Sequence, residues 1–316
     1  MPDWTIHVGG AYILGRPWWK ENLRFFLLGA ILPDIFARIE AVLNDLFHAD
    51  VFSHYSMESF HTPLMIFFVC ILIALFTSQP KISCGLLFGG SMLHFFMDML
   101  EKKVAGFGTP MLFPFSYTPF QIGLVHLYGP WLYLGWIFSL FILLYAVWEG
   151  KQQDIILQPA AKKTLWAFLL LSMILIVPYF THTLFEEHNV GFSQFYKNPS
   201  AFEGKTVGIH SAEVINENPM IIHEQFKDFT LVTDQHFKKG TWVSLEGVYR
   251  DGRIYPGYIQ KEQGIVSKSL LSLPALLLFP FLWWDWRKLR KVFDLGYLKG
   301  RISQFFGSVE IQRPEQ

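Results

Sequence analysis

The sequence predicts a polytopic α-helical membrane protein with an inserted small antiparallel β domain, read as an OB-like barrel. Three observations predict it. Of 316 residues, 52% are hydrophobic and only 16% charged, well below the quarter usual in a soluble domain. Long apolar runs recur along the chain between short polar turns. Residues 190–264 alone switch to short runs in which polar and apolar residues alternate, a strand pattern.

The elements follow in order. Residues 4–15 are a short apolar helix, broken at Arg16-Pro17. Residues 22–36 form a second short run that ends Leu32-Pro33-Asp34. Each is shorter than the roughly 20 residues of a full span, so the two are expected to pack as a helical hairpin. Residues 37–59 read as polar and irregular, although Asp34 could cap a helix over 35–47. Apolar helices are expected at 61–78 and 83–100, then a loop rich in Gly, Pro and Phe at 101–120. Further spans are expected at 121–148, 164–185 and 266–284. The domain plan is thus a helical membrane domain over 1–189, a β domain over 190–264, a final transmembrane helix over 265–290 and a basic, polar tail over 291–316. About five strands are expected in the β domain, with turns at Lys239-Gly240 and Asp251-Gly252.

Basic residues gather in the short loops at one end of the spans: Arg16, Lys20 and Arg24, then Lys81, then Lys151, Lys162 and Lys163, then Arg287 to Lys291. That end is expected to be cytoplasmic, with the C-terminus. The β domain then lies on the extracytoplasmic side of the cell (inner) membrane. Trp18, Trp19, Trp283, Trp284 and Trp286 read as an interfacial aromatic belt. No basic n-region or cleavage site opens the chain, so no cleavable signal peptide is expected. Cys70 and Cys84 fall in or beside apolar segments, which argues against a structural disulfide or a cysteine metal site. Net charge is zero, so the global balance does not argue for nucleic acid, and none is expected as a partner.

The chemistry centres on His94 and Asp98, four apart on one face of an apolar helix. A carboxylate at membrane depth is expensive and is read as functional. His7 opens the first helix, Asp34 ends the run after it, and His61 opens the helix whose antiparallel neighbour carries His94 and Asp98. Short connections favour antiparallel packing, which would bring His7, Asp34, His61, His94 and Asp98 to one depth. Imidazole and carboxylate without thiolate suit a divalent metal: zinc, manganese or iron. The competing reading of each residue is an interfacial cap or a hydrogen-bonded polar pair. Glu58 and His54, four apart in the polar segment, are the candidate general bases.

At these residues the chain resembles the YdjM-type (DUF457) family of membrane-bound, metal-dependent hydrolases. Thr5-Ile-His7, Gly29-Ala-Ile-Leu-Pro-Asp34, Phe60-His61-Thr62, Leu93-His94-Phe-Phe-Met-Asp98 and Gly108-Thr-Pro-Met-Leu-Phe-Pro114 occur in the family's order, over roughly residues 1–150. The resemblance implies a metal site from His7, Asp34, His61, His94 and Asp98. The chain departs from the family's His-Arg-x-x-Thr-His-Ser motif, since His54 and His61 are seven apart without an intervening Arg, and Phe36 stands where a second acid is common.

The function expected is hydrolysis of an ester, most simply a phosphoester of a membrane lipid or another amphiphile, by a metal-activated water at the outer membrane boundary. The alternative is a non-catalytic membrane protein whose outer β domain binds a partner or envelope polymer, with any metal structural. A metal transporter is disfavoured by the apolar midsections Phe67–Leu75 and Leu169–Ile176.

Overall fold

The computed structural model of the protein describes residues 4–19, 22–47, 57–102, 108–125, 130–149, 164–188, 195, 198–224, 227–262 and 264–282. Helix α1 covers Trp4–Gly15, α2 Leu23–Gly29, α3 Leu32–Phe47, α4 Pro63–Leu75, α5 Pro80–Leu100, α6 Pro130–Glu149, α7 Thr164–His188 and α8 Ile265–Leu282. Proline opens α4 and α5 in the first turn, where its absent N–H breaks no helical bond. Pro80–Leu100, Pro130–Val147 and Leu165–Thr183 are long and apolar enough to cross a membrane. Outward-facing side chains of α6 and α7, among them Trp131, Phe141, Leu165 and Phe180, are exposed. Apolar surface on this scale is unfavourable in water and at home in lipid.

Two expectations are corrected. The run at 22–36 is not one helix ending at Asp34. It breaks at Ala30-Ile31, and Asp34 lies in the first turn of α3, which continues through residues 37–47, read above as irregular. Pro33 is the physical reason for the break: it has no N–H to give the Gly29 carbonyl four residues back. The span expected at 121–148 begins only at Pro130. Residues 121–125 are a return limb whose Ile122, Gly123 and Val125 amides bond the Met99 and Leu100 carbonyls at the end of α5.

α2 lies directly on α5. Gly29 faces the Leu87 carbonyl and Gly90 faces the Phe26 carbonyl, with no room for a Cβ at either. Small residues at such a crossing let two helices approach backbone to backbone. α1 packs against α6, Gly9 against Ser139, and is tied to α8. Ser272 Oγ accepts from the Trp4 amide at 3.2 Å, and the Leu271 carbonyl accepts from Thr5 Oγ1 at 2.9 Å and Trp136 Nε1 at 2.6 Å. Both cysteines are free.

The second unit is a five-stranded sheet: β1 Thr206–Glu217, β2 Met220–Glu224, β3 Lys227–Leu231, β4 Trp242–Arg250 and β5 Arg253–Glu262. Its pairings run β1-β2-β3-β5-β4, and β4 pairs back onto β1. All are antiparallel except β3 with β5. Its core is Ile209, Val214, Ile222, Phe229, Leu245, Ile254 and their neighbours, with Phe195 packed in from before β1. The turn expected at Asp251-Gly252 joins β4 to β5, with positive φ at both residues (50° and 72°), the conformation that favours a tight hairpin. Lys102, just past α5, holds its ammonium 4.9 Å from the Tyr258 ring of β5.

Candidate metal centre

α5 presents His94 and Asp98 one turn apart, both buried. His61 sits two residues before α4, at the end of a short helical turn, Met57–Phe60, closed by the Thr62 hydroxyl on the Ser59 carbonyl at 2.7 Å. Asp34 enters from the first turn of α3. One ligand atom from each of Asp34, His61, His94 and Asp98 lies within 4.8 Å of all the others, and all four residues are buried.

The individual separations are informative. His61 Nε2 lies 3.2 Å from His94 Nε2, 3.5 Å from Asp34 Oδ1 and 3.1 Å from Asp98 Oδ2. His94 Nε2 lies 3.6 Å from both Asp34 Oδ1 and Asp98 Oδ2. Ligand bonds of about 2.0–2.1 Å in a tetrahedron put the ligand atoms about 3.3–3.4 Å apart. Five of the six separations thus lie close to those of a four-coordinate divalent ion, and the sixth, Asp34 to Asp98, lies within 4.8 Å.

Hydrogen bonding points the same way. His94 Nδ1 is 2.8 Å from the Ala30 carbonyl oxygen, which can only accept. This assigns the proton to Nδ1 and turns the Nε2 lone pair inward. Three acceptors, His94 Nε2, Asp34 Oδ1 and Asp98 Oδ2, thus surround His61 Nε2, which has at most one hydrogen to offer. A cation satisfies all four at once, so the residues present fit a divalent metal.

The carbonyls that orient α5 are released by Pro33. Without its N–H, the Gly29 carbonyl is free to accept from Ser91 Oγ at 2.9 Å, one turn from His94. The Asp34 amide bonds Ile31, which leaves the Ala30 carbonyl for His94. The Leu-Pro-Asp segment therefore supplies one carboxylate and positions a ligand on another helix. Sequence reasoning missed Ser91 and the Ala30 carbonyl. The available signal was a proline four residues after Gly29, facing a helix with Ser91 and His94 three apart.

His7 is fully buried and stacks on His94, ring centroids 3.9 Å apart. Its Nε2 lies 3.4 Å from Asp98 Oδ1, the oxygen turned away from His61. Neither ring nitrogen makes a hydrogen bond among the described residues. His7 thus touches the cluster from the side without joining the four converging atoms. His54 and the side chain of Glu58 lie outside the described residues. Phe36, in the place of a second acid, stacks on Phe60 beside His61, centroids 4.2 Å apart.

The class is therefore a membrane protein whose buried His/Asp cluster, at the end of a candidate span, can hold a divalent metal. The sequence profile of the YdjM inner membrane protein family matches residues 5–185, from α1 through most of α7. The match covers more than half of the chain, all four clustered side chains and His7, and the chain belongs to that family. No curated protein and no solved structure matches it.

Proposed function

We propose that the protein is a multi-pass inner-membrane hydrolase that uses the Asp34, His61, His94 and Asp98 cluster to hold a divalent metal and cleave an ester, a phosphoester of a lipid or another amphiphile. The observation that carries this reading is the convergence of four buried ligand atoms near the end of α5, a candidate span, a level that this reading places beside the headgroups. Zinc fits this donor set and these spacings, and manganese or iron remain compatible with it. When bound, such an ion supplies an acidified water as nucleophile near neutral pH. His94, held by the Ala30 carbonyl, and Asp98, on the same turn of helix, fix the centre. His7 backs the ring of His94. Glu58 or His54, preceding His61 in sequence, is the proposed base.

In this reading the basic loops are cytoplasmic, and the cluster and the β domain lie on the extracytoplasmic side. The contact of Lys102 with Tyr258 supports placing the β domain at the cluster's end of α5. The pairing order, with parallel β3 and β5, supports reading the sheet as an OB-like barrel, here as a platform for substrate or a partner. A reporter enzyme active only in the cytoplasm, fused after Gln316, is expected to be active; silence there, with activity of a periplasm-dependent reporter, reverses the orientation.

One observation favours a second reading. Four protein ligands close a tetrahedral ion, as in structural sites, whereas catalytic ions keep a position for water. The deciding experiment is hydrolysis of a lipid phosphoester by protein in detergent. Chelator is expected to abolish turnover and added zinc or manganese to restore it. A metal-loaded protein inert toward lipid and soluble phosphoesters alike leaves the metal structural.

A further inference from the structure

No Asp, Glu, Lys or Arg occurs between Lys103 and Glu149. That interval is more than twice the length of a span of about 20 residues, yet α6 begins only at Pro130. The described part before it, residues 108–125, is a strap folded onto the end of α5. Its limbs are joined by Thr109 and Phe120, which exchange backbone hydrogen bonds of 3.2 and 3.0 Å. The return limb caps α5: the Ile122 and Gly123 amides bond the Met99 carbonyl at 2.7 and 3.0 Å, and Val125 bonds Leu100 at 2.8 Å. Gly123 adopts a φ of 68° there, which brings two successive amides to one acceptor. Phe113 is buried inward, with Met111 and Tyr117 packed on the helical core.

The other face of the strap is apolar and bare. Leu112 is 69% exposed, Phe115 93% and Leu124 73%, with Phe120 and Ile122 also exposed. Irregular backbone facing lipid is excluded from the hydrocarbon region itself, which sets the level of such a strap at the headgroup–acyl boundary; its return limb turns the Ile122, Gly123 and Val125 amides inward onto α5. A few residues later the chain enters α6, whose Trp131 and Leu134 are likewise exposed on a candidate span. The strap is anchored to Met99 and Leu100, directly after Asp98, so its depth is that of the cluster.

We propose that residues 108–125 form a membrane-dipping strap, with Leu112, Phe115 and Leu124 seated in the headgroup–acyl boundary of the leaflet beside the metal cluster. The occupant of this face is the lipid bilayer. Its consequence, lateral entry of a lipid substrate from that leaflet, rests on the hydrolase reading; the insertion itself does not.

The test places a nitroxide at position 115 or 124, by Phe115→Cys or Leu124→Cys in a Cys70→Ala/Cys84→Ala background. The full chain is reconstituted in phosphatidylcholine–phosphatidylglycerol vesicles, and collision rates with oxygen and a water-soluble nickel chelate are compared. Labels at Leu134→Cys in α6 and Lys239→Cys in the β domain give the lipid and water references. Positions 115 and 124 are expected to favour oxygen, as 134 does. Behaviour like 239 overturns the strap, and so does shielding from both reagents, which would mean that the β domain or a second copy covers it. Metal content and hydrolysis are measured on the same samples. Lipid-exposed labels without metal-dependent hydrolysis keep the strap and remove the hydrolase; hydrolysis with water-exposed labels does the reverse. If both hold, Phe115→Asp is expected to retain metal and to raise KM for a long-chain lipid phosphoester about tenfold or more, the scale of losing one buried aromatic contact, with KM for a short soluble ester unchanged.

Discussion

Protein purified in detergent is expected to carry about one equivalent of divalent metal, the content of a single four-ligand site. His94→Ala/Asp98→Ala is expected to retain almost none, as read by elemental analysis. Removing both residues takes away two of the four ligand atoms that lie within 4.8 Å of one another. Asp98→Asn sharpens the test, because it keeps the side-chain shape and removes the charge. A metal bound only by the folded state stabilises it by RT ln(1 + [L]/Kd), about 4 kcal/mol at a thousandfold excess over Kd. Chelator should therefore lower the melting temperature of the wild type and leave that of Asp98→Asn unmoved. If the cluster were only a hydrogen-bonded polar core, chelator would move neither, and Asp98→Asn would melt early because one partner of a buried pair is lost. Absence of metal from the wild type after incubation with zinc, manganese and iron would remove the centre from the proposal.

The second large effect is steric and lies one turn before the cluster. Gly90→Ala puts a methyl into the Phe26 carbonyl, and Gly29→Ala puts one into the Leu87 carbonyl. Both obstacles are backbone, so no rotamer change relieves them, and α2 must move off α5. Ordinary overpacking costs about 1–3 kcal/mol; here about 4 kcal/mol or more is expected, the range diagnostic of a specific clash. Moving α2 also carries away the Ala30 carbonyl and the start of α3, so metal should be lost with stability. The same helix holds its own controls. Nothing lies within 4 Å of a Cβ at Gly85, so Gly85→Ala should be neutral or stabilising by up to about 1 kcal/mol through helix propensity. At Gly89 the neighbour is the Phe26 ring at 3.4 Å, an ordinary contact, and a small effect is expected. Thermal melts of the four alanine variants in one detergent check the order; equal melting of Gly90→Ala and Gly85→Ala would contradict the crossing.

Much of this was legible in the residue order. Composition and apolar run length marked a membrane protein, because the free energy of burying apolar surface is roughly additive along the chain. The alternating strands and the Asp251-Gly252 turn marked the β domain, since period and turn chemistry are local. His94 and Asp98 could be paired from their spacing alone, because a helix fixes which residues share a face. What the sequence left open was set by contacts between segments distant along the chain. The break at Ala30-Ile31 follows locally from Pro33, but the use made of the freed carbonyls, by Ser91 and His94, depends on α2 lying against α5. That approach depends in turn on Gly29 and Gly90 meeting backbones more than fifty residues away. Residue order places 121–125 at the start of the next span because they are apolar. Only the folded chain shows that their amides are claimed by the carbonyls of Met99 and Leu100. Residue order therefore determined which side chains were available to a metal, while tertiary packing decided which atoms face one another, because spacings of a few ångströms between helices are fixed by the shapes of both partners at once.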